Sequence, residues 1–342
     1  MRYRTLGRTG IQVSPYALGA MMFGAMGNPD HDDSIRIIHK ALDAGINLID
    51  TADVYSLGES EEIVGKALKG RWDAVVLATK FSNPMGEAPN RRGASRRWII
   101  TEVEHSLRRL QTDHIDLYQY HRPDAETDIE ETLSALSDLV HSGKVRAIGT
   151  SKLPAADIVE AQWAAERRGF ERFRSEQPPY SILDRSIERD VLPVAGRYGI
   201  GIIVWSPLAQ GLLTRRVRKG RQSDLRRSGQ YFSHLSDERR IDVVEQLIPL
   251  ADQAGLPLTH LAVAFAIAHP IVTAALLGPR TMEQLDDLLA GAEVVLSDEI
   301  LDRIDAIVAP GTDVGRLDMA YNPPAVTSPA LRRRPVNERT AA

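Results

Sequence analysis

Residues 46–80, INLIDTADVYSLGESEEIVGKALKGRWDAVVLATK, contain the repeating unit that predicts the fold. Two short apolar runs, INLID (46–50) and AVVLATK (74–80), flank a stretch with helical spacing of apolar residues from Glu61 to Leu68. AVVLATK is apolar on successive residues, as a strand covered on both faces is. The stretch therefore predicts a strand, a helix and a second, parallel strand.

The same alternation of apolar run and amphipathic stretch recurs along the chain. The eight candidate strands are 17–24, 46–50, 74–80, 114–120, 145–151, 172–177, 200–207 and 272–278. Candidate helices cover 35–44, 61–68, 98–110, 128–141, 155–168 and 187–198, and glycines that can end a helix follow several of them. Eight strands alternating with helices favour a parallel (β/α)8 TIM barrel of the α/β class. A doubly wound sheet is disfavoured because LGAMMFGAMG (18–27) lacks the G-x-G-x-x-G spacing.

Several segments fall outside the repeat. Two extra helical pieces are expected at 241–269 and 297–308, and 214–235 reads as a basic loop after the seventh strand. We expect one barrel domain over 1–308, and a C-terminal tail over 309–342 that is either flexible or folded over the barrel mouth.

Composition excludes several classes of function. The chain has no cysteine, which rules out disulfides, thiolate metal sites and cysteine nucleophiles, and we predict no metal site. A net charge of −4 gives no reason to expect nucleic acid as a partner. The N-terminal stretch lacks the apolar core of a signal peptide, and the longest apolar stretch, 258–270, is too short to span a bilayer. We therefore expect a cytoplasmic protein with no membrane partner.

Four polar residues follow or end neighbouring candidate strands. Asp50, Lys80 and His121 stand at strand ends, with Tyr55 in the loop after Asp50, and such ends meet at one mouth of a barrel. Lysine beside a phenol favours its ionised form, and an aspartate keeps that lysine charged. Histidine can orient a carbonyl oxygen or relay a proton. Taken singly, each residue has an ordinary structural explanation, such as a turn acid or a solvent-facing lysine, but the combination predicts carbonyl chemistry.

These residues, within LIDTADVY, LATK and YQYHRPD, resemble the catalytic tetrad of the aldo-keto reductase family. The opening 3–24, with a short hairpin at the barrel base, resembles the same family, and the similarity extends from about residue 3 to residue 308. The resemblance implies an NADPH-dependent reductase of aldehydes or ketones. In it Tyr55 is the general acid, Lys80 tunes Tyr55, Asp50 holds Lys80, and His121 positions the carbonyl.

The resemblance also implies where NADP(H) binds. Ser151 and Gln177 match residues that hold the nicotinamide amide, Lys152 stands in the place of the family's asparagine, and Trp205 falls where a ring stacks on the nicotinamide. The segment 276–291 resembles the 2′-phosphate site, but Leu288 replaces a residue that can hydrogen-bond the adenine. The expected cofactor contacts are Gly19, Ala20, Met21, Asp50, Ser151, Lys152, Gln177, Trp205, Ser206, Leu208, Gly211, Gly278, Arg280, Gln284 and Asp287.

The substrate is expected to be a small carbonyl compound with an apolar or aromatic body. Candidate wall residues are Phe23, Phe81, Met85 and Trp98, with Tyr231 or Phe232 as a lid. The basic loop 215–227 either helps to hold cofactor phosphates or is a solvated charged loop.

Two other functions stay open. The chain resembles potassium-channel β subunits, which keep the tetrad but act largely as partner proteins. An unrelated barrel lyase with a Schiff base on Lys80 is the third possibility. The sequence leaves the oligomeric state open.

Overall fold

A computed structural model describes residues 1–220, 233–317 and 321–339. Eight parallel strands close into a barrel in which consecutive strands are neighbours and the last pairs with the first. They are β3 (Tyr16–Gly19), β4 (Leu48–Asp50), β5 (Val76–Phe81), β6 (Ile115–Tyr120), β7 (Val145–Ser151), β8 (Ser175–Gln177), β9 (Gly201–Val204) and β10 (Val272–Leu277). Before them, β1 (Arg4–Thr5) and β2 (Gln12–Val13) form an antiparallel hairpin. The predicted (β/α)8 barrel with a short N-terminal hairpin is confirmed.

Helices surround the barrel. They are α1 (His31–Asp43), α2 (Glu59–Leu68), α3 (Arg96–Leu110), α4 (Ile129–His141), α5 (Ala155–Arg168), α6 (Val191–Tyr198), α7 (Glu238–Gln253), α8 (Leu258–Ala268), α9 (Met282–Ala290), α10 (Asp298–Ile307), α11 (Pro324–Thr327) and α12 (Pro329–Arg332). Side-chain caps begin several of them, and Gly169 and Gly199 end α5 and α6 in the left-handed conformation. Among the described residues no single helix is long and apolar enough to cross a membrane, although the bent pair α7 and α8, at 94°, reaches that length together.

Several predicted element boundaries were wrong. The strand expected over 172–177 begins at Ser175, and the strand expected over 200–207 spans Gly201–Val204. The first barrel strand ends at Gly19, and Ala20–Met22 form a 3-10 turn in place of the rest of 17–24. The helix expected over 187–198 begins at Val191, after a separate 3-10 turn. The helical piece expected over 241–269 is two helices, α7 and α8, because Gly255 takes a φ of +67° and Pro257 follows it.

The barrel interior is filled by apolar side chains at its lower end. The buried interior cluster is Leu6, Val13, Ala17, Leu48, Ala78, Leu117, Ala147, Ile203, Ala274 and Leu276. Leu6 and Val13 come from the hairpin segment, so the hairpin closes the N-terminal end of the barrel. Side chains alternate faces along a strand, so residues two positions further on point into the same interior at the next level up.

Residues 309–317 fold back onto the loop after β8. Asp313 and Asp184 form an isolated antiparallel β-bridge through their backbones, and the Val314 amide donates to the Leu183 carbonyl at 2.8 Å. Fully buried Arg240 of α7 donates two hydrogen bonds of 2.8 Å to the Asp184 carboxylate and one of 3.0 Å to the Val314 carbonyl. Residues 321–339 are largely exposed. Desolvation raises the pKa of Tyr321, and the charges of Asp157 and Asp124 raise it further, so Tyr321 lies near both acids. The division at residue 308 stays a prediction.

We expect Arg240→Ala to lower the free energy of unfolding by about 3 to 5 kcal/mol, because it leaves the Asp184 carboxylate buried without its cation. Urea unfolding of the full chain measures the change. The neighbouring Arg239→Ala removes an exposed arginine paired with Asp237 and should lose less than about 1 kcal/mol. Equal losses of unfolding free energy in the two variants would contradict a larger contribution of the buried Arg240–Asp184 pair.

Candidate functional site

Barrel register brings the predicted polar residues to one mouth. Asp50 pairs with Ala78 and Lys80 pairs with Gln119. Asp50, Lys80 and Gln119 each follow an apolar residue of the interior cluster by two positions, so they form the level above it. The mouth is therefore the C-terminal end of the barrel, where the loops after the strands meet.

Lys80 is fully buried and its ammonium has three hydrogen-bond acceptors. It donates to the Asp50 carboxylate, to the Thr51 carbonyl at 2.8 Å and to the Tyr55 hydroxyl at 3.2 Å. Burial acts to lower the pKa of Lys80, but the charge of Asp50 and the contact with Tyr55 outweigh it and hold the pKa above its usual value. Lys80 is therefore a fixed cation at neutral pH.

Asp50 is held by amides as well as by Lys80. The side-chain amide of Gln119 donates to Oδ2 at 2.9 Å, and that of Gln177 donates to the same oxygen at 2.8 Å. Sequence reasoning missed Gln119, although its place two residues after inward-facing Leu117 on β6 was a usable signal. Gln177, which is expected to hold the nicotinamide amide, donates from Nε2 to Asp50 and to Gln119 Oε1 at 3.2 Å. Its role toward a cofactor stays a prediction.

Tyr55 presents its hydroxyl to Lys80 and its ring to His121. The ammonium lies 4.8 Å from the ring centroid, and the Tyr55 and His121 rings meet edge to face with centroids 5.7 Å apart. Desolvation raises the pKa of the phenol above 10.0, and Lys80 lowers it without reversing the rise. Lys80 thus lowers this pKa as expected, but the loss of contact with water is the larger effect.

His121 follows β6 and is oriented by an amide that sequence reasoning also missed. Asn83 Nδ2 lies 2.8 Å from His121 Nδ1, so Nδ1 accepts this hydrogen bond and the ring proton resides on Nε2. Burial holds the pKa of His121 well below 6.5, and the nearby cations act in the same direction. His121 is thus a neutral imidazole with an Nε2–H donor.

A buried acidic cluster supports the loop that carries Tyr55. Arg109 of α3 donates to Glu61 at 2.6 Å and to Glu102 at 2.6 Å, and both carboxylates are fully buried. Asp53 lies among them with its pKa raised well above its usual value by burial and by the two glutamates. Gly58 starts α2 with a φ of +99°, and an added Cβ would come within 2.6 Å of the Arg109 side chain. The loop therefore needs glycine at this position.

The predicted nicotinamide residues lie on the next three strands around the barrel. Ser151 ends β7 and donates to the Gln177 carbonyl at 2.8 Å, and Trp205 directly follows β9 with its buried Nε1 lacking a hydrogen-bond partner. Lys152 follows Ser151 and places its Nζ 5.3 Å from the centroid of the Trp205 ring. These side chains face the same mouth as Tyr55 and His121.

The segment after Trp205 has an unusual backbone. Ser206, Ala209 and Gln210 take φ values of +57°, +47° and +57°, and Gly211 takes +109°. Leu208, with a φ of −93°, and the left-handed Ala209 that follows it form a pair that turns successive backbone amides toward one side, an arrangement suited to anions. Leu208 precedes this turn and is partly buried.

A second anion-suited region follows β10. Arg280 is partly exposed, and its guanidinium makes no hydrogen bond or ion pair within the described part of the chain. Gln284 in the first turn of α9 accepts from the Arg280 amide at 2.8 Å. An added Cβ at Gly278 would meet no atom within 4 Å, so the surface beside the helix N-terminus is open. Asp287 is held by Thr259 at 3.1 Å, and it lines a cleft of about 520 Å³.

Gly19, Ala20 and Met21 follow or end β3, which lies between β10 and β4. They therefore stand between the Arg280 region after β10 and Asp50 at the end of β4. An added Cβ at Gly19 would stand 3.3 Å from the Leu277 carbonyl, so a larger residue would crowd β10. The 3-10 turn is fixed by Ser60, which donates to the Ala20 carbonyl at 2.8 Å.

The predicted apolar wall was mostly wrong. Phe23 and Phe81 are fully buried in the core between barrel and helices, Trp98 packs against His105, and Met85 is buried in the loop after β5. Tyr231 and Phe232 lie outside the described residues. In the described part of the basic loop three cations pair with acids of α7, in Arg215–Asp252, Arg218–Glu245 and Lys219–Asp242. These pairs favour the solvated charged loop.

Comparisons with known proteins agree with this geometry. The model of the "Aldo/keto reductase family" matches residues 16–309. An uncharacterized oxidoreductase, YrpG, of Bacillus subtilis (strain 168) is 40% identical over 318 residues, covering 90% of this chain and 96% of the relative. Aldo-keto reductase YhdN of the same organism is 39% identical over 296 residues, covering 84% and 88%. A probable voltage-gated potassium channel subunit beta of Oryza sativa subsp. japonica is 34% identical over 320 residues, covering 90% and 97%.

We expect Lys80→Met to lower the free energy of unfolding by about 3 to 5 kcal/mol, because Asp50 then stays buried without its cation. The double variant Lys80→Met/Asp50→Asn should recover much of that loss, since the asparagine oxygen still accepts from the two glutamines. Urea unfolding of the single and double variants measures both values. A double variant as unstable as the sum of the two single variants would contradict a buried charge pair.

Proposed function

The chain belongs to the aldo/keto reductase family of oxidoreductases, and on that premise we propose that it reduces aldehydes or ketones to alcohols with NADPH. Tyr55 donates the proton in this reaction. The observation that carries the proposal is the three-way contact of the Lys80 ammonium with Asp50, Thr51 and Tyr55.

The contact explains how Tyr55 acts as an acid. Lys80 donates to the phenol oxygen, so the Tyr55 O–H is left free to point into the mouth. When the proton leaves, the phenolate stays beside a cation that cannot easily be lost, because Asp50 keeps Lys80 charged. Lys80 offsets part of the rise in the Tyr55 pKa that burial causes, and this is the direction that proton donation near neutral pH needs.

His121 is suited to orient the carbonyl. As a neutral ring with Nε2–H, it can donate a hydrogen bond to the oxygen that Tyr55 protonates. NADPH held at this mouth would supply the hydride that the carbonyl carbon needs. Carbonyl, hydride and the Tyr55 proton together make the alcohol, and the phenolate regains its proton from solvent.

The Arg280 guanidinium, which has no partner among the described residues, supports NADPH over NADH. Arginine binds a phosphate through two hydrogen bonds, and Arg280 stands at the start of α9, where helix amides also favour an anion. Trp205, Ser151 and Lys152 would hold the nicotinamide end, Ser206 to Gly211 the pyrophosphate, and Asp287 the adenine end. Gln177 would keep its Nε2 bond to Asp50 and could accept from a carboxamide N–H through Oε1.

A second candidate is a cofactor-bound protein that works mainly through a partner. The probable potassium channel subunit beta from rice, which matches over most of both chains, favours it. Tight cofactor binding without carbonyl turnover would select this function.

The Schiff-base lyase is disfavoured. A lysine that forms a Schiff base needs a free, uncharged amine. Lys80 has a raised pKa, and its ammonium is engaged by three acceptors. Its surroundings are suited to a cation that assists a neighbour.

A small carbonyl substrate, a cytoplasmic location, and the absence of nucleic-acid and membrane partners remain predictions. The oligomeric state remains open.

We expect Tyr55→Phe to lower kcat for carbonyl reduction by about 100-fold or more, because the ring stays and the proton donor is lost. NADPH affinity should be unchanged in a fluorescence titration. Tyr3→Phe, which loses a hydrogen bond to the Gly45 carbonyl far from the mouth, should keep full activity. Near wild-type turnover in Tyr55→Phe would remove Tyr55 from the reaction.

We expect Arg280→Ala to weaken NADPH by about tenfold or more and to leave NADH nearly unchanged, since only NADPH carries the 2′-phosphate. Parallel titrations with both cofactors measure the two effects. Arg197→Ala, at an exposed arginine of α6, is the control and should change neither affinity. Equal weakening of both cofactors would place the 2′-phosphate elsewhere.

A further inference from the structure

Lys152 has a constrained backbone and an unusual side-chain position. Its φ is +61°, in the left-handed region that a lysine seldom occupies. The Glu176 carboxylate holds this turn by accepting from the Lys152 and Leu153 amides. The turn directs the Lys152 ammonium over the face of Trp205, with Nζ 5.3 Å from the ring centroid. The proposed nicotinamide site therefore already contains a cation on its aromatic platform.

Charged groups from four strands surround this ammonium. Asp50 on β4 and Glu176 on β8 attract it, and Lys80 on β5 and Arg122 after β6 repel it. Neighbouring His121 is uncharged because its pKa is well below 6.5. Burial and the two cations lower the pKa of Lys152 to about 7. Burial raises the pKa of Glu176 to about 7 as well, so both groups titrate near neutrality.

We propose that Lys152 makes cofactor binding depend on redox state, so that its ammonium on Trp205 accepts the uncharged reduced nicotinamide and opposes the cationic oxidised ring. This inference rests on the proposed NADP(H) function. An aromatic face attracts one cation, and a second positive charge nearby is repelled in a partly desolvated site. The asparagine that the family resemblance implies for this position would carry no charge and could not discriminate in this way.

The discrimination depends on pH with a defined sign. Below pH 7 the side chain is protonated, and the oxidised cofactor is disfavoured. Above pH 7 the amine is neutral, so the affinity for NADP⁺ increases and that for NADPH changes little. By linkage, NADP⁺ binding at neutral pH expels a proton from Lys152. A protonated Lys152 thereby favours release of the oxidised product after each turnover.

The test is the ratio of the dissociation constants of NADP⁺ and NADPH, measured by fluorescence titration of the full chain from pH 6 to pH 8.5. The ratio cancels titration of the 2′-phosphate, which both forms carry. At pH 6 we expect Lys152→Met to lower the ratio about tenfold relative to wild type, or 1.4 kcal/mol. In wild type the ratio should fall toward the Lys152→Met value as pH rises.

Three variants complete the design. Lys152→Arg stays charged and should keep the high ratio at every pH, and Lys152→Gln should repeat the result of Lys152→Met. Lys144→Met removes a lysine that pairs with Glu104 away from the mouth and should behave as wild type.

Two outcomes overturn the inference while the proposed function stands. The first is an equal ratio in wild type and Lys152→Met at pH 6. The second is a pH dependence that persists in Lys152→Met, which would assign the titration to Glu176. Failure of wild type to bind either cofactor would overturn the proposed function and this inference with it.

Discussion

The Lys80 ammonium has no exposed surface, and removing such an ion from water costs several kcal/mol. That cost is offset only while the Asp50 carboxylate, the Thr51 carbonyl and the Tyr55 hydroxyl stay within hydrogen-bond distance of one nitrogen. The ends of β4 and β5 and the loop before α2 are therefore fixed relative to one another. The same contacts that stabilise the cation also orient the phenol.

The barrel provides these positions through its alternation of faces. The side chains that fill the interior at one level are Leu48, Ala78 and Leu117. The next level is occupied by polar side chains, Asp50, Lys80 and Gln119. The lower level excludes water from below. At the upper level, side chains are consequently shielded from water, and the hydrogen bonds of the glutamine amides and the Asp50 carboxylate are stronger there than in water. Apolar packing and the residues proposed for proton transfer thus occupy successive levels of one structure.

The sequence predicted the strand count and the four mouth residues because strand periodicity and strand ends are local properties. It did not predict that Gln119 and Gln177 would share one oxygen of Asp50. These two contacts join residues that are 69 and 127 positions apart and that meet only when the barrel closes. The net pKa shift of Tyr55 also required burial in three dimensions. Phe81 was assigned to the wall because its direction from β5 was unknown. The break between α7 and α8 was readable from Gly255 and Pro257.

The most direct measurement is a crystal structure of the protein with NADP⁺ bound, determined at a pH above 8. We expect the nicotinamide on Trp205 beside the Tyr55 hydroxyl, the 2′-phosphate on Arg280, and the Lys80 contacts with Asp50 and Tyr55 unchanged. A dinucleotide bound with its nicotinamide outside the mouth, or a Lys80 that leaves Tyr55 when the cofactor binds, would contradict the proposed proton-transfer unit.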